Sequence, residues 1–128
     1  MKPDVLFFVV ITVSLTLVPS PVTAHHALAA TFDTNKPVTV KGTITHVIWT
    51  NPHVWFYMDV KDANGKVTTW GINGGSPTGL KSHGWSRDSL RPGDQIHVEG
   101  FAARNGQSLA AATTITLTNG TKIVIFPK

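Results

Sequence analysis

Apolar and polar residues alternate along most of the chain after residue 37, and this alternation is typical of β-strands with one buried face. The apolar positions of the first stretch are Val38, Val40, Ile44 and Ile48. Gly42 falls among these positions, where a glycine indicates a sharp bend or a bulge. We therefore predict one long, half-buried strand from Pro37 to Ile48, with His46 in phase with its inward set.

The second and third strands are predicted on either side of a tight turn. From His53 to Val60 the inward set is Val54, Phe56, Met58 and Val60, and the outward set is His53, Trp55, Tyr57 and Asp59. Asn64-Gly65 follows, and this dipeptide supplies the positive φ angles that a two-residue hairpin turn needs. The third strand is predicted over 66–72, with Trp70 in the core.

The second half of the chain carries a helix signal and then more strands. Ser76 followed by Pro77 is typical of a helix start, so we predict a short helix over 78–83. A fourth strand follows with Ile96 and Val98 inward and a bend at Gly100. The alternating positions of the fifth strand are Leu109, Ala111, Thr113, Ile115 and Leu117. A last short strand is predicted around Ile123 and Ile125.

This order of elements predicts an all-β fold. Three strands, one short helix and two or three further strands, with glycines where strands must curl, suit a small five- to six-stranded barrel of the oligonucleotide/oligosaccharide-binding (OB) type. A six-stranded open sandwich is the alternative. Residues 25–35 are expected to lead into this domain, with Leu28 and Phe32 packed on it.

The first 24 residues have a different composition. Lys2 precedes a run from Val5 to Val18 that is almost free of polar groups, and Pro19 to Ala24 then gives a break and small residues. This is the order of a secretory signal peptide, and the run is shorter than the roughly 20 residues that span a bilayer. We predict a signal peptide over 1–24, a mature domain over 25–128, a periplasmic or secreted location, and no membrane span after cleavage.

Charge and cysteine content narrow the partners that the sequence favours. The chain has no cysteine and a formal net charge of +4, so stability must come from the core, and thiolate metal sites are excluded. The lysines and arginines are scattered without a basic run. From this we predict that nucleic acid is not a partner, and that the partner is a small ligand or an envelope protein.

Two histidines would begin the mature protein. With His25 first, its amine and imidazole can chelate one metal ion, and His26 can add the next imidazole. Such nitrogen ligands favour Cu(II). His53, beside Trp55 on the outward face, is the preferred third ligand. The sequence thus predicts a copper site at His25, His26 and His53.

The remaining histidines have simpler interpretations. His46 is interpreted as a core residue, His97 as solvated, and His83 as a cap at the end of the short helix.

Aromatic residues are concentrated near the second strand. Trp55 and Tyr57 alternate with core positions and are expected to face outward, on the face that OB-type barrels commonly use for ligands. Exposed rings can stack on sugars, bases or peptide groups. We take Trp49, Asn51, Trp55 and Tyr57 as candidate ligand-binding residues. The alternative is that the leading segment folds over these rings and covers them.

Signatures of enzymes are sparse. The sequence lacks paired carboxylates at useful spacing, a Gly-x-Ser-x-Gly motif and a His-Glu-x-x-His motif. The acidic residues lie mostly at turns and strand ends, where turn formation explains them. We therefore predict no catalytic residues and favour a protein that is not an enzyme.

A set of short motifs carries a resemblance to a known group of proteins. The motifs are His25-His26, Phe32-Asp33, Val40-Lys41-Gly42, Trp49-Thr50-Asn51-Pro52-His53, Gly75-Ser76-Pro77, Gly84-Trp85 and Leu90-Arg91-Pro92-Gly93-Asp94. In this order they resemble a family of small exported bacterial proteins of unknown function. The resemblance covers nearly the whole mature chain, and it implies a periplasmic or secreted barrel-like domain without implying an activity.

The preferred functional hypothesis is a non-enzymatic periplasmic binding domain that carries or scavenges Cu(II). The first alternative is an interaction module without metal, whose outer aromatic face holds a glycan, a peptide or an envelope protein. The second alternative is a copper enzyme with an N-terminal histidine centre.

Overall fold

A computed structural model describes residues 27–125, which form six strands and two short helices. The strands are β1 (Phe32–Ile48), β2 (Trp55–Lys61), β3 (Val67–Asn73), β4 (Gln95–Ala103), β5 (Leu109–Leu117) and β6 (Lys122–Val124). The helices are α1 (27–31) and α2 (Pro77–Ser82). The predicted all-β class is confirmed, although one helix was predicted and two are present.

The sheet closes on itself. Its hydrogen-bonded order is β3-β2-β1-β4-β5-β6, and the ends meet because β3 also pairs with β5. The β3–β5 pairing is parallel, whereas the other five pairings are antiparallel. Five strands therefore form a ring with α2 between β3 and β4, as in OB-type folds. The open sandwich is not the arrangement found.

The interior of this ring is apolar. The inward side chains of β2 are Val54, which precedes the strand, Phe56 and Met58, and they are 1%, 1% and 0% exposed. Ile44, Ile72 and Ile115 from the neighbouring strands pack in the same cluster. The predicted inward sets of β2 and β4 are confirmed, and burial of such side chains is the main stabilising contribution to a small domain without disulfides.

A bulge in β1 changes which residues face inward near its end. Ile44 pairs with Met58 and His46 with the adjacent Tyr57, so Thr45 is an extra residue in β1. The phase of the alternation shifts by one position after the bulge. Val47 consequently packs against the core, while Ile48 is 39% exposed and His46 is exposed. The prediction that His46 and Ile48 face inward is wrong for this reason.

A second shift occurs where β4 and β5 pair. Glu99 lies opposite Thr114 and Gly100 opposite Ala112, so Thr113 is the extra residue. Its hydroxyl donates to the Glu99 carbonyl at 3.1 Å. Before the bulge Ala110 and Ala112 belong to the interior cluster, and after it Ile115 does. The predicted alternation of β5 from Leu109 to Leu117 on a single face is therefore wrong.

The bend at Gly100 follows from close backbone approach. A Cβ at this position would lie 2.1 Å from the carbonyl oxygen of Ala111, which no side chain tolerates. Gly42 has the same relation to the carbonyl of Asp59 on β2, also at 2.1 Å. Both glycines thus let strands cross closely, as the sequence predicts for bends in a curled sheet.

The predicted helix closes one end of the ring. The Ser76 side chain accepts a hydrogen bond from the Gly79 backbone N–H at 3.0 Å, which caps the helix start. Leu80 and Trp85 are buried in the interior cluster. At the C-terminal end of α2, the His83 ring lies 2.9 Å from the Gly79 carbonyl oxygen. The interpretations of Ser76 as the start of α2 and of His83 as the cap at its end agree with this geometry.

The leading segment forms α1 and extends β1 beyond its predicted start. Phe32 is the first residue of β1 and is buried, pairing with Ala103 of β4. The sequence predicted the strand only from Pro37, because the positions from Asp33 to Lys36 are polar. Within residues 27–125, neither helix has the length and apolar character needed to cross a bilayer.

Candidate ligand-binding face

Two rows of side chains run across the outside of the closed sheet. In the first row His46 pairs with Tyr57, Tyr57 with Gly71 and Gly71 with Leu109. In the second row the successive partners are Ile48, Trp55, Asn73 and Ala111. Residues directly opposite one another share a face. We call these eight positions the outer face.

Gly71 brings two side chains of the first row together. A Cβ built on Gly71 would lie 2.7 Å from Cδ2 of Leu109 and 3.1 Å from Cε1 of Tyr57. Both side chains therefore lie over the backbone of β3, where a larger residue would separate them. Because Gly71 has no side chain, Tyr57 and Leu109 form one continuous surface, although their strands are not adjacent.

At the β1 edge of the outer face an imidazole lies beside a phenol. The ring centroids of His46 and Tyr57 are 6.1 Å apart, with 37° between the ring planes. His46 is exposed and Tyr57 is half-buried. The pair can be reached from solvent, because His46 is exposed and Tyr57 is only half-buried.

The opposite edge of the outer face is covered by the leading segment. Phe32, Ala103 and Ala111 form a small buried cluster against which Leu28, Trp55, Phe101 and Leu109 pack. The alternative in which this segment covers the rings is thus partly what is found. It covers the β5 edge and the side of Trp55, while His46 and Ile48 stay exposed.

Arg104 holds the leading segment in place. Its backbone N–H donates to the Thr31 carbonyl at 2.9 Å, and its Nε donates to the Ala29 carbonyl at 2.9 Å. Its guanidinium also lies 3.6 Å from the Asp33 carboxylate. The β4–β5 turn and α1 therefore form one unit beside the outer face.

Polar groups border the rings. The Asp59 carboxylate accepts a hydrogen bond from the Thr69 hydroxyl at 2.8 Å, and this pair lies two residues beyond Tyr57 and Gly71 on the same face. Asn73 is only 2% exposed, and its Oδ1 accepts from the Gly75 N–H at 3.0 Å. This agrees with the interpretation of Asn73 to Gly75 as a structural turn.

The predicted ligand-binding residues separate into two groups. Trp55 and Tyr57 lie together on the outer face, as expected. Trp49 does not join them, because the bulge in β1 turns it toward the interior cluster, against which it packs. Asn51 is exposed in the loop between β1 and β2. A ligand-binding role for Trp49 and Asn51 stays a prediction.

Sequence reasoning missed several members of the outer face. His46 and Ile48 were placed inside, because strict alternation through β1 ignores the bulge. Leu109 was recognised only as a strand residue. Gly71 carried the available signal, since a glycine inside a strand often marks a close approach of neighbouring groups.

Two of the three predicted copper ligands lie outside the described residues. His25 and His26 lie outside residues 27–125, and His53 is half-buried in the loop before β2. Among residues 27–125 no group of three or more His, Asp or Glu side chains is placed to hold a metal ion. The three-histidine site stays a prediction.

The closed sheet and its aromatic outer face define a small OB-like β-protein. Residues 13–112 match a family of unknown function, DUF6152. The chain therefore belongs to that family, in agreement with the resemblance to a family of unknown function. No curated protein matches the chain.

A solved structure with the same fold is the mitochondrial single-stranded DNA-binding protein Rim1 from S. cerevisiae. It superposes with a TM-score of 0.51 at 14% sequence identity, covering 65% of this chain and 93% of Rim1. At this identity the likeness shows the shared fold.

The prediction that nucleic acid is not a partner is wrong. It rested on the absence of a basic run, yet the fold is shared with a protein named for binding single-stranded DNA. Single strands are held by stacking on aromatic side chains as well as by charge. Scattered lysines and arginines therefore do not rule this class of partner out.

Proposed function

We propose that this protein is a binding domain whose outer face holds a ligand by stacking on Tyr57 and Trp55. The observation that carries the proposal is the continuous surface formed by His46, Tyr57 and Leu109 over Gly71, beside Trp55. A ring system of this kind, open at one edge, is a common platform for flat ligand groups.

The geometry favours an extended ligand made of ring-bearing units. Tyr57 and Trp55 are two positions apart on one strand, which separates their attachment points by roughly 6.6 Å. Successive units of an extended chain can therefore meet successive rings. A single-stranded oligonucleotide and an oligosaccharide both have this form, and the fold shared with Rim1 supports including the first.

The test uses both kinds of chain on the same protein. Backbone amide shifts of the ¹⁵N-labelled protein are followed during titration with an oligothymidylate and, separately, with a β-1,4-linked glucan hexamer. We expect one probe to move residues of the outer face, Tyr57 and Gly71 among them. No movement there with either probe contradicts the proposal.

Variants decide whether stacking is responsible. Tyr57→Phe keeps the ring and should bind as the original protein does, whereas Tyr57→Leu keeps much of the volume and should weaken binding roughly tenfold, given about 1–3 kcal/mol per stacked ring. Val67→Ala is the matched control, since Val67 is an exposed apolar residue away from these rows, at 52% exposure. Equal binding by Tyr57→Leu and the control would contradict stacking.

Copper binding at His25, His26 and His53 is a second candidate, in an exported protein cleaved after Ala24. Its support is positional. Leu28 and Trp55 pack against the same cluster, and these residues lie within three positions of the predicted ligands. The N-terminal amine after cleavage supplies the additional nitrogen that Cu(II) favours.

Cleavage and copper binding are tested in sequence. Mass spectrometry of the exported protein should give a mature chain that begins at His25. Cu(II) titration followed by d–d absorption should then show a one-to-one complex, which weakens greatly when a glycine precedes His25. Equal affinity in both forms, or a different mature start, would remove the chelate. His53→Gln tests the third ligand, with the exposed His97→Gln as its control.

A further inference from the structure

A row of three basic side chains and one threonine crosses the sheet on β1, β4, β5 and β6, at positions that do not belong to the outer face. Lys41 on β1 pairs with His97 on β4, His97 with Thr116 on β5, and Thr116 with Lys122 on β6. Lys41, His97 and Lys122 are exposed and Thr116 is half-buried. We call these four positions the basic row. Adjacent strands are about 4.8 Å apart, so the row is roughly 15 Å long.

Within residues 27–125, the side chains of this row form no ion pair with a carboxylate. The ion pair found there joins Arg104 to Asp33, neither of which belongs to the row. Glu99 is the nearest acidic residue along β4, and it lies opposite Thr39. Lys41 and His97 lie directly opposite one another, so two basic side chains are neighbours on this face.

The row borders a shallow depression with hydrogen-bond donors around it. The depression has a volume of about 260 Å³, and its polar lining residues are Lys41, Gln95, His97, Thr116 and Thr118. The Thr118 hydroxyl already donates to the Gln95 carbonyl at 2.9 Å. The Lys41 ammonium, the His97 ring and the Thr116 hydroxyl remain as donors toward a bound group.

We propose that the basic row binds a small multivalent oxyanion of the oligophosphate type. Several anionic groups in line match a row of basic side chains about 15 Å long, whereas a single phosphate reaches only part of it. The modest volume of the depression favours a compact anion over a macromolecule. This site is independent of stacking on the outer face.

The experiment compares tripolyphosphate with orthophosphate at constant ionic strength, using amide shifts of the ¹⁵N-labelled protein. We expect tripolyphosphate to move residues of β1, β4 and β5 around the row and to bind at least tenfold more tightly than orthophosphate. Equal affinity of the two anions would overturn a site that depends on a row of charges. So would equal shifts at lysines throughout the protein.

Variants give a second readout. Lys41→Gln should weaken tripolyphosphate binding about fivefold, the upper range for an exposed charge contact. Without the anion, the same variant should melt at nearly the same temperature as the original protein, because Lys41 is exposed and surface substitutions usually change stability little. Lys122→Gln should weaken binding similarly. Lys81→Gln, an exposed lysine on α2, is the matched control and should bind as the original protein does.

Two further results would overturn the proposal. The first is a loss of affinity in Lys81→Gln equal to that in Lys41→Gln, which would indicate attraction by net charge alone. The second is a preference for phosphatidylglycerol vesicles over tripolyphosphate that depends on Lys41, which would assign the row to a membrane surface. Tyr57→Leu should leave anion binding unchanged, so failure of either proposal can be recognised separately.

Discussion

The two sides of β2 differ in what their residues do, although they alternate along seven positions of one strand. Phe56 and Met58 point inward and are 1% and 0% exposed. Trp55 and Tyr57 point outward and are half-buried. The inward side holds the closed sheet together, whereas the outward side keeps ring surface within reach of solvent. Substitutions on the two sides should therefore separate stability from binding.

The largest expected effect is on the inward side. Phe56→Ala removes a ring that is fully enclosed and leaves a cavity, so the free energy of unfolding should fall by about 3–5 kcal/mol. Urea denaturation followed by circular dichroism measures this change. A loss below about 1 kcal/mol would mean that the interior is not packed as described.

A substitution at Gly100 tests the curvature that creates an inside and an outside. The added methyl group of Gly100→Ala would lie 2.1 Å from the Ala111 carbonyl oxygen, so β4 and β5 must move apart. Strain of this kind costs about 1–3 kcal/mol. Thermal melting should show the loss. Gly65→Ala is not a suitable control, because Gly65 has a positive φ of 82°. Ala102→Gly, on the same strand as Gly100, is the control.

Much of this inside–outside division could be predicted from the sequence. Alternation identified the inward sets of β2 and β4, and Ser76-Pro77 identified the start of α2. Gly42 and Gly100 were recognised as bends because glycine permits close backbone approach. These features depend on local patterns or on single residues whose physical role is narrow.

The rest depended on interactions that no local pattern contains. An extra residue at Thr45 or Thr113 is defined only by the register with the partner strand, and each one inverts the faces that follow. Those two bulges explain the errors at His46 and Ile48 and along β5, and they explain why Trp49 packs against the interior cluster. The course of α1 depends on Arg104, which is more than seventy residues away in sequence.

Arg104 allows the cover on the outer face to be loosened without touching the interior. Arg104→Ala removes the bond from Nε to the Ala29 carbonyl and the contact with Asp33. We expect a loss of about 1 kcal/mol, since these contacts are partly exposed. Hydrogen exchange should become faster in α1 and remain slow in β2. Arg104→Lys is the control that keeps the charge. Uniform acceleration in both elements would contradict a separable cover.

The smallest effect is expected where the sequence pattern and the structure disagree most directly. His46 and Val47 are neighbours on β1, and the bulge at Thr45 turns the first outward and the second against the core. His46→Ala should change the free energy of unfolding by less than about 0.5 kcal/mol, as surface substitutions usually do. Val47→Ala should cost more, about 1 kcal/mol or above, because it removes methyl groups packed on the interior. Both changes are measured by urea denaturation.

His46→Ala should also shift the ring proton resonances of Tyr57, whose ring centroid is 6.1 Å from that of His46. If His46→Ala were the more costly of the two, uninterrupted alternation through β1 would be correct, and the edge of the outer face would lose its open ring pair.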